Sequence, residues 1–250
     1  MNEFLIFNEN IFLIFAILGS FFTSLISSIF GIGGGVILLT FFASFLPPLA
    51  IIPVHAAVQL ASNAGRVFLL KRDIHWPILY LFIIGCLFGA ILGGIIVIQI
   101  PLNLIKFLMG LFILWSIYGY LPKFNKKQIF FGSIISCTVS VIVGATGPFI
   151  AAIVNTLKLP KKKHIATVGF VMMTKHILKI CVFTFLGFSF APYIKLIFLM
   201  IVSGFIGTII GRNIMNIIDE NFFRKILNFA LTILALRIIF YSFKDLNFFY

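Results

Sequence analysis

The chain has 250 residues, 62% of them hydrophobic and only 10% charged, where a soluble domain carries about 25% charged residues. So little charge cannot cover a water-facing surface, which excludes a soluble enzyme or binding module and predicts an all-α polytopic membrane protein. The net charge of +13 is spread over short loops between apolar segments, with no basic domain that a nucleic acid could bind.

The first ten residues contain Glu3 and Glu9 and no Lys or Arg. That is the wrong charge for a signal peptide, so residues 11–30 read as the first span. Its small residues run Gly19, Thr23 and Ser27, four apart on one helix face, and end in Gly31-Ile32-Gly33-Gly34-Gly35. Glycines at that density interrupt a helix. Segments at 34–46, 55–70, 77–98 and 102–120 follow. The pattern then repeats: Gly132, Ser136 and Ser140 lead into Gly144-Ala145-Thr146-Gly147-Pro148, at a constant offset of 113 from the first copy. The second set of segments is 128–144, 148–157, 165–187, 192–212 and 222–243.

The chain is therefore predicted to be a single transmembrane domain over residues 1–250, with internal repeats at 11–120 and 128–243. Each repeat contains a short helix after a glycine break. The total is about 8–10 membrane segments, depending on whether 34–46 and 148–157 span or re-enter. Gly85, Gly89 and Gly93 match Ser203, Gly207 and Gly211, small residues that let helices pack closely in lipid. The prolines are expected at or between segment boundaries. Cys86, Cys137 and Cys181 are isolated and read as small buried hydrophobes, so no metal or cofactor site is expected.

Four loops hold twelve of the nineteen basic residues: Lys71 and Arg72; Lys123, Lys126 and Lys127; Lys158 and Lys161 to Lys163; and Arg212, Arg224 and Lys225. The positive-inside rule places all four in the cytoplasm and both termini outside. Each half then crosses an odd number of times, and the two halves are inverted repeats. Paired helix breaks in inverted halves point to a transport site.

That site has named candidates. Gly33, Gly34 and Gly35 sit at one half-helix N-terminus, Thr146 and Gly147 at the other, where free N–H groups attract an anion. Ser27 adds a hydroxyl, with the alternative that it bonds its own helix carbonyl. Gln59, Ser62, Asn63 and Arg66 share one face of the third segment, and Lys175, His176 and Lys179 lie inside the eighth. Charges inside a span are functional candidates by default. From these, Asn63, Arg66, Lys175 and His176 are taken as substrate-binding. The competing reading is snorkelling of Arg66 and the lysines to the interface. His55, beside Pro53, reads first as an interfacial histidine and second as a gate or proton-linked residue. Asp73 to Trp76 reads as an interfacial anchor.

The Ser27 to Gly35 string, its echo at 144–148, and Gly211-Arg212 followed by Arg224-Lys225 resemble the TauE/SafE family of sulfite and organosulfonate permeases. The resemblance covers nearly the whole chain. It implies a multi-pass protein of the bacterial inner membrane that moves small sulfur-containing or organic anions by alternating access. An anion channel is the alternative, since it would share the basic interior. An enzyme is not expected, because paired acids, a metal cluster and a nucleophile–base pair are all missing from the sequence. No Asp or Glu lies within any span, so coupling to a proton or sodium ion falls to histidine, backbone carbonyls or the substrate's own proton. A homo-oligomer is compatible with the sequence.

The topology is testable by cysteine labelling. A membrane-impermeant reagent added from outside should label Glu3→Cys and miss Lys162→Cys; the reverse pattern overturns the inverted arrangement.

Overall fold

The computed structural model describes residues 9–119, 128–215 and 220–245. All regular structure among these residues is helical. Ten α-helices follow in order: α1 (Glu9–Phe30), α2 (Gly34–Phe45), α3 (Pro48–Leu69), α4 (Leu79–Val97), α5 (Leu102–Tyr118), α6 (Ile129–Val143), α7 (Gly147–Asn155), α8 (Lys161–Phe185), α9 (Ile194–Ile214) and α10 (Glu220–Asp245). Four stretches, built on α1, α4, α8 and α9, are long and apolar enough to cross a membrane. Large side chains such as Leu49, Phe68, Phe131 and Phe185 are exposed on the outer surface, as lipid contact requires and water would not tolerate. This is a polytopic helical membrane protein. The loop at 121–127 and residues 216–219 lie outside the described residues, so the lysines expected there carry no structural account; nor do the side chains of Arg224 and Lys225.

The two helix breaks have a common cause. Gly31 and Gly144 take φ of +80° and +91°, a region that side chains with a Cβ rarely enter. Each sends its N–H back to the serine four residues earlier, Gly31 to the Ser27 carbonyl at 2.9 Å and Gly144 to the Ser140 carbonyl at 3.0 Å. The chain then restarts as a short helix. α2 has 12 residues and α7 has nine, which rise about 18 Å and about 14 Å, roughly half of a hydrocarbon core of about 30 Å.

One boundary differs from the sequence expectation. The third helix begins at Pro48 and not at 55, and Pro53 lies inside it. The Pro47-Pro48 pair starts the helix, since Pro48 occupies a first-turn position that has no N–H partner to lose. Pro53 removes one bond from the ladder one turn later, and the helix continues through it. The consequence is large for His55, which moves from a helix start to a buried helix interior.

The small residues form two faces on α1 and on α6. Ser20, Ser24 and Ser28 face α9, where Gly204, Gly207 and Gly211 admit the crossing. Ser20 Oγ donates to the Met200 carbonyl at 2.6 Å and Ser28 Oγ to the Thr208 carbonyl at 2.9 Å. At the same offset, Ser133, Cys137 and Val141 of α6 meet Gly85, Gly89 and Gly93 of α4. A Cβ on Gly85 would stand 2.7 Å from the Phe130 carbonyl oxygen. The stripe read first in the sequence (Thr23 and Ser27, Ser136 and Ser140) lies one residue away and faces inward. Helix pairing is preserved when the halves are exchanged: α1 packs on α9 as α6 packs on α4, while α3 packs on α8 and α5 on α10.

The segment between α3 and α4 is pinned to α8. The His75 N–H donates to Thr167 Oγ1 at 3.0 Å, Trp76 meets the edge of Phe170, and Lys162 pairs with Asp73 at 3.5 Å. The ion pair is exposed and contributes at most about 1 kcal/mol.

The close crossings predict a contrast between two glycines. Gly89→Ala places a Cβ 2.8 Å from the Cβ of Cys137 and should destabilise by about 1–3 kcal/mol. Gly19 has nothing within 4 Å of its would-be Cβ, so Gly19→Ala should be neutral or stabilising by up to about 1 kcal/mol. Thermal unfolding in detergent, followed by fluorescence size exclusion, ranks the two.

Candidate functional site

The two breaks meet at one pocket between α1, α2, α3, α7 and α8. Its lining includes Ser27, Gly31, Gly33, Gly35 and Val36 from the first break and Ala145 and Gly147 from the second. His55, Gln59, Asn63 and Arg66 enter from α3, and Met172 and His176 from α8. The enclosed space is small: about 20 Å³ is open to the centre of a water-sized sphere, where one water needs about 10–15 Å³.

The face of α3 explains the polar wall. Residues 55, 59, 62, 63 and 66 recur at helical spacing, and all five are buried. Arg66 is 3% exposed, which rules out snorkelling. Its Nη1 donates to the Ser27 carbonyl at 2.8 Å and to the Gly31 carbonyl at 2.9 Å, and Nη2 donates to Asn63 Oδ1. These carbonyls lie in the last turn of α1 and just past its end, where the helix dipole places partial negative charge. Asn63 Nδ2 in turn donates to the Gln59 carbonyl at 2.6 Å. The guanidinium is thus fixed by the backbone of the break, and its Nε–H has no partner.

The second break is capped in the same manner by different residues. Lys179 Nζ donates to the Gly144 carbonyl. Lys175 Nζ donates to the Ser136 carbonyl at 3.2 Å, to Ser136 Oγ at 2.9 Å and to Thr146 Oγ1. Both lysines are fully buried, so neither reaches an interface.

The N-termini of α2 and α7 have no side-chain cap. The first turn of a helix leaves N–H donors without intrahelical partners; in α2 the Val36 N–H turns back to the Gly33 carbonyl at 3.0 Å, and in α7 Pro148 has no N–H to offer, so the second end is the poorer donor. Pocket groups without a partner are Gln59 Nε2, Arg66 Nε, His55 Nδ1 and both ring nitrogens of His176. Leaving buried polar groups unpaired costs about 1–3 kcal/mol each, and all of these line one cavity.

Of the residues singled out in the sequence, the pocket gathers Ser27, Gly33, Gly35, Asn63, Arg66, Gly147 and His176. Gly34 lies beside it and faces α1; a Cβ there would stand 2.5 Å from Ser27 Oγ and closer still to the Thr23 carbonyl. Thr146 and Lys175 form a node behind the wall, joined to each other and to Ser136. Two lining residues, Gln59 and His55, were missing from the expected set, although both lie in register with Asn63 and Arg66. The assignment of His55 to the interface is corrected: it is 1% exposed, and its Nε2 meets the Gly35 carbonyl at 2.8 Å. Starting the third segment at 55, just after Pro53, hid this.

Membrane-spanning helices arranged around a buried polar pocket at two helix breaks define a membrane transporter. Over residues 16–238 the chain matches the family described as sulfite exporter TauE/SafE, and it belongs to that family, whose members are transporters rather than enzymes. No curated protein and no solved structure matches it.

The Arg66 fork predicts a penalty for a like-charged replacement. Arg66→Lys keeps the buried charge but cannot reach Ser27, Gly31 and Asn63 together. With hydrogen bonds to charged groups contributing about 1.5–3 kcal/mol each, it should destabilise by about 2 kcal/mol or more. The unfolding midpoint of the purified protein reads this directly; an unchanged midpoint would remove Arg66 from the break.

Proposed function

We propose that the protein is a secondary transporter of the bacterial inner membrane that carries a small sulfur-containing or organic anion, sulfite or a sulfonate, by alternating access. The observation that carries this reading is a charge imbalance. Arg66, Lys175 and Lys179 are buried together, and the carboxylates among the described residues, Glu9, Asp73, Glu220 and Asp245, stand at helix ends or between α3 and α4. In a low-dielectric interior an uncompensated positive charge is costly. A bound anion is the missing counter-charge.

The pocket donors suit an oxyanion. Arg66 Nε–H and Gln59 Nε2–H present hydrogen atoms without acceptors, and the N-termini of α2 and α7 add backbone N–H groups with favourable dipoles. Gly33, Gly35 and Gly147 leave the backbone bare, so an anion can approach it. Lys175 and Lys179 act from behind the wall by long-range attraction, since their own donors are engaged by Ser136, Thr146 and Gly144. Alternating access is supported by the matched helix pairing of the two halves, which we infer to be inverted repeats, 11–120 and 128–243. Each half would then contribute one break and one cation-bearing helix, and rocking of one against the other would open the pocket to either side.

Reconstitution into liposomes tests the reading. Labelled sulfite should enter faster when unlabelled sulfite preloads the lumen, because trans-stimulation requires a carrier cycle. Flux without trans-stimulation would identify a channel. Sulfite at about 100 times its dissociation constant should also stabilise the purified protein by about 2.7 kcal/mol. Absence of both flux and stabilisation, with thiosulfate, sulfoacetate and taurine equally inert, would overturn an anion-transport function.

A further inference from the structure

Two histidines enter the pocket, one from each half of the chain. His55 of α3 and His176 of α8 lie with ring centroids 5.8 Å apart and planes at 64°. Both are 1% exposed. A carbonyl can only accept, so the contact of His55 Nε2 with Gly35 O makes that nitrogen the donor and leaves Nδ1 a bare lone pair. His55 Nδ1 has no partner, and neither has either nitrogen of His176. A neutral imidazole holds one N–H and one lone pair, and three of these four nitrogens are buried with nothing to bond.

The surroundings narrow what these rings can do. The charged and titratable groups near enough to act on His176 through space are Lys175 and Lys179 on its own helix and His55 and Arg66 from α3. Cys86 of α4 and Cys137 of α6 lie near enough to Lys175 to act on it through space. The helices α2 and α7 bring no titratable side chain. Arg66 does not give up its proton, and the amines of both lysines are engaged by Ser136, Thr146 and Gly144. No carboxylate and no lysine lines the pocket, and His55 and His176 are the lining groups whose ordinary titration range lies between about pH 5 and 8.

We propose that His176, facing His55, is a proton site, and that the anion and one proton bind in this pocket together and cross together. The inference rests on the anion-transport reading above. An anion within reach of Arg66 offsets the field of the buried basic groups and accepts a hydrogen bond from the second ring N–H that protonation creates. The anion therefore favours the proton, and by linkage the proton favours the anion to the same extent. No redox step is involved: the proton comes from the aqueous phase on one side and leaves to the other. His55 holds the opposite wall through Gly35, which ties the proton site to the first turn of α2.

The test uses full-length protein in liposomes with sulfite as the probe. Uptake is measured with an inward pH gradient of one unit and without it, and the ratio is taken within each vesicle preparation. The ratio does not depend on how many copies are active. Sulfite's own titration contributes equally to wild type and variant and cancels between them. If one proton accompanies each anion, the wild-type ratio should exceed that of His176→Gln by about tenfold, the factor in proton activity across one pH unit. Counterflow by His176→Gln should fall as well, because the ring lines the pocket, but remain measurable. His55→Gln, as the second variant, should lower the ratio several-fold. A wild-type ratio in both variants, or a wild type whose uptake ignores the gradient, overturns the proposal. Loss of all counterflow in His176→Gln together with a wild-type ratio in His55→Gln also overturns it, by making His176 an anion ligand alone. Failure of the wild type to exchange any sulfite counts against the transport reading and not against the proton site.

Discussion

Three buried basic side chains in this protein bond to carbonyls, hydroxyls and an amide and to no carboxylate, and what holds them there is broken backbone. Arg66 and Lys179 bond to the Gly31 and Gly144 carbonyls, which the helix interruptions leave free. A continuous helix would consume those carbonyls internally, and the cations would have no partner but lipid. The break and the charge therefore depend on each other. Backbone carbonyls carry only partial charge, so they satisfy the hydrogen-bonding capacity of the cations without cancelling their field. The uncancelled part of that field is what an anion would meet in the pocket.

The way the two breaks come together is a packing matter. α1 and α6 each bury two small-residue faces. One face, Ser20 to Ser28 or Ser133 to Val141, lies tightly against a glycine-lined partner from the other half. The other, Thr23 and Ser27 or Ser136 and Ser140, turns toward the short helix and the polar interior. Because the faces differ by a single residue, about 100° on a helix, fixing the crossing also fixes the direction in which the break opens. The glycines on α4 and α9 thus orient a site they do not touch.

The two halves solve the same problem with different chemistry. On the first side a rigid guanidinium spans two carbonyls and an asparagine, and still shows Nε to the cavity. On the second side two flexible amines spend their donors on the break itself. The pocket is accordingly asymmetric. Directional donors come mainly from α3, while the second half supplies Gly147, His176 and charge at a distance. A carrier built on matched halves needs only matched backbones to rock; its ligand contacts can be unequal.

Composition alone required a helical membrane protein, because a chain with one charged residue in ten has no means of facing water. The offset of 113 between the glycine strings marked the two interruptions, and the spacing of Gln59, Ser62, Asn63 and Arg66 marked a polar helix face. These features are local: each follows from residue type and period within one segment. Other features depended on neighbours distant in sequence. Whether Arg66 snorkelled or turned inward was decided by the carbonyls of a helix some forty residues earlier. Lys175 could be recognised as deep, but only the approach of α6 revealed that Ser136 and Thr146 engage its amine. Gly33, Gly34 and Gly35 are indistinguishable as letters; the crossing of α1 turns the middle one away from the cavity and leaves the other two facing it. His55 was hidden by a proline that usually ends a helix, and the packing of α3 carried the helix through it. Period and composition act within a segment, whereas the direction a buried polar group faces is set by which backbone reaches it across the bundle.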